Sequence, residues 1–208
     1  MIYKNFSTSS KIWLKKNFKD KFVKESIEKK LRSRSWFKLD EINAKERIFK
    51  NNMTIVDLGS YPGGWSKYAS KYIKKNGKII SCDIKNMNFI DGVTFYKGDL
   101  LNKKFLKYFI SVIKNIGVDV IMSDMSPNIT GNKCVDSQNS TNLLKISFYI
   151  CKKIFIKKGT YISKIFQCKD FNNNINVLKN FFINLKTFKL KSSRSNSSEL
   201  FVVGKGIK

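Results

Sequence analysis

A glycine-rich turn between an apolar strand and a helix constrains the fold of this chain more than any other segment. Residues 55–58 have the sequence Ile-Val-Asp-Leu, and the next eight contain three glycines and a proline. From Trp65 onward, apolar residues recur every three or four positions, which predicts a helix. Glycines in such a turn let the backbone approach a ligand, and the first helical turn offers unpaired N–H groups. The segment therefore predicts an α/β protein with a site for a nucleotide-like molecule.

The spacing of these glycines argues against two common nucleotide sites. The segment has neither the G-x-G-x-x-G pattern of dinucleotide binding nor the Gly-Lys-Ser/Thr of a P-loop. Asp57, Gly59 and Gly63 instead give it a pattern that resembles the first motif of S-adenosylmethionine-dependent methyltransferases. An ordinary strand-to-helix turn of an α/β protein remains the alternative for this segment taken alone.

The charge of the chain points to a polyanionic partner. In its 208 residues, 41 Lys and Arg oppose 15 Asp and Glu, so the formal net charge is +26, and there is no histidine. Such an excess is typical of proteins that bind nucleic acid or another acidic surface, and structured RNA is a natural candidate. Residues 1–35 are dense in lysine and form either a basic arm lying on RNA or a solvated terminal helix. Lysine is abundant along the whole chain, so charge alone identifies only this class of partner.

The cysteines and the apolar segments predict a soluble protein without a metal. Cys82, Cys134, Cys151 and Cys168 are far apart, with no C-x-x-C pair and no histidine to complete a zinc site. We therefore expect reduced, mostly buried thiols in a cytoplasmic protein. The N-terminus has no apolar signal core, and no apolar run approaches the length of a membrane span, so no membrane association is expected.

Two predicted strands, at residues 78–83 and 93–96, end at or shortly before an aspartate, and residues 118–128 contain the next predicted strand, with Asp124 at its carboxyl end. Because ligands of an open α/β sheet bind beyond the carboxyl ends of its strands, we expect Asp57, Asp83 and Asp124 to meet in one crevice. Asp83 suits a contact with a ribose hydroxyl, and a helix cap or turn is its alternative. Asp99 either accepts a hydrogen bond from an adenine amino group or caps the next helix.

The second half of the chain alternates polar and apolar segments. We expect a polar loop over residues 131–142 that opens over the crevice, followed by a helix that Gly159 ends. The strand predicted at residues 160–166 contains Lys164, which must face solvent or lie beside acids because lysine is rarely buried without a partner. A final hairpin, antiparallel at its last step, is predicted from two strand-like pieces around residues 187–190 and 199–203.

Four segments together resemble the FtsJ/RrmJ family of ribosomal RNA 2′-O-methyltransferases: residues 35–42 (SWFKLDEI), 57–65 (DLGSYPGGW), 123–128 (SDMSPN) and 193–199 (SRSNSSE). Their order and spacing hold from about Lys30 to Val203. The resemblance implies an α/β, Rossmann-like class I methyltransferase fold, with a seven-stranded, mostly parallel sheet, a final antiparallel strand and helices on both faces. It also implies one methyltransferase domain over residues 36–208, after the basic arm of residues 1–35.

The same resemblance implies which residues form the site. The family's Lys-Asp-Lys-Glu catalytic tetrad falls on Lys38, Asp124, Lys164 and Glu199. Its contacts with S-adenosylmethionine fall on Gly63, Trp65, Asp83, Asp99 and Asp124. Three arginines are candidates for contacts with RNA phosphates, namely Arg32, Arg34 and Arg194, although the first two equally suit a capped helix end. Three positions depart from the usual family residues, since Ser60-Tyr61 replaces small residues and Phe201 stands where tyrosine is common.

The resemblance finally implies a reaction. A methyl group would pass from S-adenosylmethionine to the ribose 2′-hydroxyl of a uridine in the A loop of 23S rRNA, in the assembling large subunit, by a monomer without an obligatory protein partner. A tRNA or another RNA as substrate, and a non-catalytic RNA-binding assembly factor, are the alternatives. Without histidine, we expect the base to be Lys, Asp or Glu. Lys164 either is neutral and takes the proton or stays charged and orients the hydroxyl, because sequence does not give the sign of its pKa shift.

Overall fold

The computed structural model describes residues 20–74 and 76–208. The first part of the predicted basic arm, residues 1–19, lies outside the described residues. In chain order, the elements are α1 (Lys21–Glu28), α2 (Ser35–Glu46), β1 (Thr54–Leu58), α3 (Gly64–Ser70), β2 (Lys78–Asp83), β3 (Val93–Lys97), α4 (Lys103–Ile113), β4 (Val118–Ser123), α5 (Lys133–Ile154), β5 (Phe155–Phe166), α6 (Phe171–Phe181), β6 (Phe182–Phe188) and β7 (Glu199–Ile207).

The strands form one seven-stranded sheet in the order β3-β2-β1-β4-β5-β7-β6. Neighbouring strands are parallel from β3 to β5, whereas β7 is antiparallel to both β5 and β6. The predicted fold class is therefore confirmed, and so is the antiparallel last strand. The final hairpin pairs β6 with β7, and β7 lies between β5 and β6 in the sheet.

Helices cover both faces of the sheet because successive side chains of a strand point to opposite faces. Ile55 of β1 packs with α2 and α3, whereas Val56 and Leu58 of the same strand pack with α4, α5 and α6 on the other face. Burial on both faces explains why β1 and β4 are rich in apolar residues without strict alternation. The arrangement leaves the carboxyl ends of the parallel strands, and the loops that follow them, as the place for a ligand.

The prediction of a polar loop over residues 131–142 is wrong, because the helix α5 begins at Lys133. Asn132 caps the helix, since its side chain accepts hydrogen bonds from the backbone N–H groups of Cys134 and Val135. The first turns of α5 are mostly polar and partly exposed, so their composition is typical of a loop. The cap residue Asn132 is the local signal that a helix begins there.

The predicted end of this helix and the predicted start of β6 are also wrong. The helix ends at Ile154, and Gly159 lies inside β5, where a Cβ atom would collide with the ring of Phe155. The strand β6 begins at Phe182, whose buried ring packs into the core. In both places the strand begins at an aromatic residue directly after the last residue of the preceding helix. No loop residues mark the boundary in the sequence.

The four cysteines are free thiols, but only two of them are fully buried. Cys82 and Cys151 are buried, Cys168 is partly exposed and Cys134 is exposed. Burial raises the pKa of the Cys82 and Cys151 thiols, so both stay protonated at neutral pH. Across residues 20–74 and 76–208, no group of His, Cys, Asp and Glu side chains could hold a metal ion. No helix in the same ranges has both the length and the apolar character that crossing a membrane requires.

Candidate active site

Four charged side chains meet near the carboxyl ends of β4 and β5. Lys38 comes from α2 and Asp124 follows β4, whereas Lys164 lies in β5 and Glu199 opens β7. Both carboxylate oxygens of Glu199 lie 2.8 Å from Nζ of Lys38. Nζ of Lys164 lies 2.7 Å from Oδ1 of Asp124 and 3.6 Å from Oε2 of Glu199. Nζ of Lys38 lies 3.7 Å from Oδ1 of Asp124, so each lysine contacts both carboxylates.

Three members of the four-residue cluster are buried, Asp124 is partly exposed, and the formal charges of the cluster balance. The exposed fractions of its side chains are 6% for Lys164, 9% for Glu199, 11% for Lys38 and 15% for Asp124. Burial alone would raise the pKa of Glu199, but the ammonium groups of Lys38 and Lys164 outweigh it and lower that pKa to about 2. Burial alone would lower the pKa of Lys164, but Asp124 and Glu199 outweigh it and raise that pKa. Lys164 is therefore an ammonium ion in this arrangement.

The insertion of β7 into the sheet brings Glu199 to the cluster. In the register of β5 with β7, Lys164 is opposite Phe201 and Phe166 is opposite Glu199. The ring of Phe201 is fully buried, and its centroid lies 5.3 Å from Nζ of Lys38 and 5.7 Å from the ring of Trp65. An ammonium group over an aromatic face is stabilised by the ring. Phenylalanine at position 201 thus supports Lys38 without the hydroxyl of a tyrosine.

A cavity of about 570 Å³ opens beside the cluster, at the carboxyl edge of the sheet. The structure brings Asp83, Asp99 and Asp124 together in its wall. Its volume is within the range of small-molecule sites. The apolar part of the wall consists mainly of Ile84, Leu100, Leu101, Met125, Pro127 and Leu143.

Two aspartates of the wall are oriented by backbone N–H groups. Oδ2 of Asp83 accepts from Tyr61 at 3.0 Å, and Oδ1 accepts from Lys85 at 2.8 Å, so Asp83 is a turn residue as well as a wall residue. Oδ1 of Asp99 accepts from the N–H of Leu101 at 2.8 Å. Asn102 caps α4, so the alternative in which Asp99 caps that helix is wrong.

The cavity depends on a glycine at position 59. Gly59 has a φ of 75°, which side chains with a Cβ rarely adopt, and a Cβ there would lie 2.5 Å from Cγ of Met125 in the wall. Carboxylates that accept hydroxyl and amino hydrogens, next to apolar side chains that cover a flat ring, suit an adenosine group. The residues present therefore fit the adenosine part of S-adenosylmethionine.

Two predicted cofactor contacts are not among the described residues of the cavity wall. Gly63 precedes α3 with a φ of 103°, and its N–H donates to the carbonyl of Ser60 at 2.6 Å. Trp65 is buried, and its indole N–H donates to the carbonyl of Ser35 at 2.9 Å. The indole therefore joins α3 to α2. A contact of either residue with a cofactor stays a prediction.

Asp57, which we expected in the crevice, is buried beneath it. Its side chain is fully buried, and its Oδ2 accepts from the hydroxyl of Ser66 at 2.6 Å. Its Oδ1 has no hydrogen-bond partner among the described residues. Burial raises the pKa of Asp57 to about 7, with help from the charges of Asp124 and Asp83 and against the bond from Ser66. Asp57 thus links β1 to α3 and changes charge near neutral pH.

Arg32, a candidate for RNA contact, holds two loops together in the structure. Its guanidinium donates to the backbone carbonyls of Pro62, Asn88 and Phe89. The glycine-rich turn is thereby tied to the segment after β2. Its proposed contact with RNA stays a prediction.

The other two arginines lie near the cluster and share one carboxylate. Arg34 pairs with Asp20 at 2.8 Å and donates to the carbonyl of Ser192. Nε of Arg194 lies 3.7 Å from the same carboxylate of Asp20, and the Arg194 side chain is 43% exposed. Contact with RNA stays a prediction for both arginines, and Arg194 has the more exposed side chain of the two.

Sequence reasoning missed residues that support the cluster and the cavity. Ser193 donates from its hydroxyl to Oε1 of Glu199 at 2.7 Å. Asn139 and Asn142 line the cavity from α5, and neither was identified from the sequence because a loop was predicted there. Asn132, as a cap residue before Lys133, was the signal that could have placed both on a helix.

The chain is similar to known proteins over its whole length. A family model described as FtsJ-like methyltransferase matches residues 31–207. "Ribosomal RNA large subunit methyltransferase E" of Buchnera aphidicola subsp. Cinara cedri (strain Cc) is 45% identical over 208 residues, which are 100% of both chains. The protein of the same name from Buchnera aphidicola subsp. Schizaphis graminum (strain Sg) is 45% identical over 203 residues, 98% of each chain.

Solved structures agree with this match. A ribosomal RNA methyltransferase from Plasmodium falciparum has a TM-score of 0.72 at 30% identity, covering 85% of this chain and 98% of its own. Human Methyltransferase-like protein 13, in complex with SAH, has a TM-score of 0.55 at 14% identity, covering 74% of this chain and 71% of its own, which shows a shared fold alone. Since the family model spans most of the chain and curated relatives match it from end to end, the chain belongs to the FtsJ-like methyltransferase family.

Proposed function

We propose that the protein transfers a methyl group from S-adenosylmethionine to the ribose 2′-hydroxyl of a uridine in the A loop of 23S rRNA, in the assembling large ribosomal subunit. The observation that carries the proposal is the buried cluster of two lysines and two carboxylates beside a cavity that fits adenosine. Both Buchnera relatives are named as large-subunit rRNA methyltransferases, and a net charge of +26 suits RNA. We propose further that the protein acts as a monomer in the cytoplasm.

The cavity would hold the methyl donor mainly through two aspartates. Asp83 would accept hydrogen bonds from the ribose hydroxyls, because each of its oxygens has a lone pair beyond its backbone bond. Asp99 would accept from the adenine amino group, and Leu100 and Met125 would cover the ring. The bound donor supplies an activated methyl group on a sulfonium. SAH in the human protein of the same fold supports this choice of donor.

The cluster would prepare the ribose hydroxyl for attack. The hydroxyl must lose its proton as its oxygen bonds the methyl carbon and the sulfur–carbon bond breaks. Lys164, held as an ammonium ion, would donate a hydrogen bond to this oxygen and stabilise its developing negative charge. Asp124 would take the proton, because it lines the cavity and is the more exposed of the two carboxylates. Glu199 stays ionised and holds Lys38 and Lys164 in place.

The charged state of Lys164 predicts a nearly flat dependence of rate on pH. Its pKa is raised above the ordinary 10.5, so the ammonium form persists through about pH 9. We expect the single-turnover rate at saturating donor to change less than about threefold between about pH 7 and pH 9. A rise of about tenfold per pH unit would instead mean that neutral Lys164 is the base, contrary to this mechanism.

The Asp83→Ala variant should bind S-adenosylmethionine about ten- to a hundredfold more weakly, because it loses charge-assisted hydrogen bonds to the ribose. Asp83→Asn keeps one accepting oxygen and should fall between that variant and the wild type. Asp91 is exposed in the segment after β2, and Asp91→Ala is the matched control with unchanged affinity. Calorimetric titration with the donor measures all three. Unchanged affinity in Asp83→Ala would leave Asp83 a turn residue only.

The direct test of the proposed function uses undermodified large subunits. Purified protein is incubated with labelled S-adenosylmethionine and, in separate reactions, with these subunits and with tRNA. We expect label in 23S rRNA. Label in tRNA instead would identify another RNA as the substrate. Donor binding without label in either RNA would favour a non-catalytic assembly factor.

A further inference from the structure

The loop that precedes Glu199 is attached to the helix that carries Lys38. Residues 189–198 connect β6 to β7. Ser192 and Ser193 are buried in this loop, whereas residues 194–196 at its tip are exposed. The buried serines are therefore the part of the loop with a fixed position, and their contacts explain how it is fixed.

Glu41 of α2 binds the N–H side of this loop. Its Oε1 accepts from the backbone N–H of Lys191 at 3.2 Å, and its Oε2 accepts from both the N–H and the hydroxyl of Ser192 at 3.3 Å. Burial opposes its charge, but the bonds from Lys191, Lys45 and Ser192 outweigh burial and lower the pKa of Glu41. The carboxylate is thus ionised, and hydrogen bonds to a charged acceptor are the stronger kind.

Arg34 binds the carbonyl side of the same loop. Its guanidinium donates to the carbonyl of Ser192, and Asp20 holds that guanidinium at 2.8 Å. Arg34 directly precedes α2, and Glu41 lies one helical turn after Lys38. Ser192 is therefore hydrogen-bonded both by Glu41 of the helix that supplies Lys38 and by Arg34, which directly precedes that helix.

The residue after Ser192 contacts the four-residue cluster directly. The next residue, Ser193, is buried and donates its hydroxyl to Oε1 of Glu199 at 2.7 Å. The other contacts of the carboxylate are to Lys38 at 2.8 Å and Lys164 at 3.6 Å. Ser193 thus helps Lys38 to orient the carboxylate between the two ammonium groups.

We propose that Glu41, assisted by Arg34, is a positioning residue that holds the Glu199 carboxylate between Lys38 and Lys164 for methyl transfer. The inference rests on the proposed function. Without Glu41, the loop loses the bonds from Lys191 and Ser192 to that carboxylate, so Ser193 is held less firmly and the Glu199 carboxylate can turn away from Lys164. The rate of the chemical step should then fall, whereas affinity for the donor, which binds at the Asp83 end of the cavity, should not change.

The test compares single-turnover rates at saturating donor and undermodified subunits. Glu41→Ala should lower the rate about ten- to a hundredfold, since small misplacements of reacting groups cost about this much. Glu41→Gln should recover part of the loss because its amide oxygen still accepts one N–H bond. Glu46 is the matched control on the same helix, since its carboxylate binds Lys186 at 2.9 Å and Lys205 at 2.7 Å, away from the cluster. Glu46→Ala should be less stable but keep the wild-type rate.

A second variant separates positioning from folding. Ser193→Ala keeps the bonds of Glu41 and should lower the rate in the same direction. The double variant Glu41→Ala with Ser193→Ala should be no slower than the slower single variant, because both act through one contact. A Glu41→Ala rate equal to that of Glu46→Ala, or additive losses in the double variant, would overturn the inference. If Glu41→Ala fails to fold, an unchanged rate in Ser193→Ala overturns it. An inactive wild type would instead reject the proposed function.

Discussion

The Lys164→Ala variant should transfer methyl groups about a thousandfold more slowly than the wild type while binding S-adenosylmethionine nearly as well. Its ammonium group lies 2.7 Å from Asp124 and is the group that would stabilise the developing oxyanion. Asp83 and Asp99, which would bind the donor, are unchanged. Single-turnover incorporation of labelled methyl groups measures the rate, and calorimetric titration measures donor affinity.

The exposed Lys107 of α4 provides the matched control, and Lys107→Ala should keep the wild-type rate. Loss of Lys164 leaves Asp124 and Glu199 buried with one ammonium group, so the free energy of unfolding should also fall by about 3–5 kcal/mol. Thermal denaturation must therefore show that the variant is folded at the assay temperature. A folded Lys164→Ala variant with a rate within about tenfold of the wild type would be incompatible with the proposed mechanism.

The Asp57→Asn variant should lose a large pH dependence of stability. The pKa of Asp57 is about 7 in the folded protein, against an ordinary value of 3.8. Because the folded pKa is raised, the stabilisation is complete below about pH 4 and is lost as pH rises to about 7. The difference between the two pKa values corresponds to about 4 kcal/mol. Relative to the wild type, the variant's free energy of unfolding should therefore rise by about 4 kcal/mol between about pH 4 and pH 8.

Denaturant unfolding of both proteins across this pH range gives the measurement. An unpaired amide in Asp57→Asn adds an offset that does not depend on pH, so only the change with pH counts. Ser66→Ala removes the hydrogen bond that lowers the pKa of Asp57, and should extend the loss of stability to pH above 7. A difference between Asp57→Asn and wild type that is constant with pH would show that Asp57 has no raised pKa.

The strands β2 and β4 could be predicted because local sequence determines them. The apolar run that ends in Asp83 marks a strand whose bounds the structure reproduces, and the apolar run from Val118 marks a strand that ends directly before Asp124. Parallel pairing then brings these two aspartates to one edge of the sheet. The same reasoning fails for Asp57, which lies within β1 rather than after it. Its carboxylate accepts a hydrogen bond from Ser66 and does not line the cavity.

The four-residue cluster of Lys38, Asp124, Lys164 and Glu199 could be predicted only from the resemblance of its motifs to a family. Lys38 and Glu199 are 161 positions apart and belong to a helix and an inserted strand, so no local pattern relates them. The direction of the pKa shift of Lys164 depends on distances to Asp124 and Glu199 that sequence does not contain. The bonds from Ser192 to Glu41, 151 positions away, are equally invisible before folding.

Mapping the methyl group on undermodified large subunits tests the central claim most directly. Subunits are incubated with S-adenosylmethionine and either wild-type protein or the Lys164→Ala variant, and nuclease fragments of the 23S rRNA are analysed by mass spectrometry. The proposed function predicts a 2′-O-methylated uridine in the A loop after incubation with the wild type, and its absence with the variant. A methyl group on a base, a methylated ribose outside the A loop, or equal methylation by both proteins would contradict it.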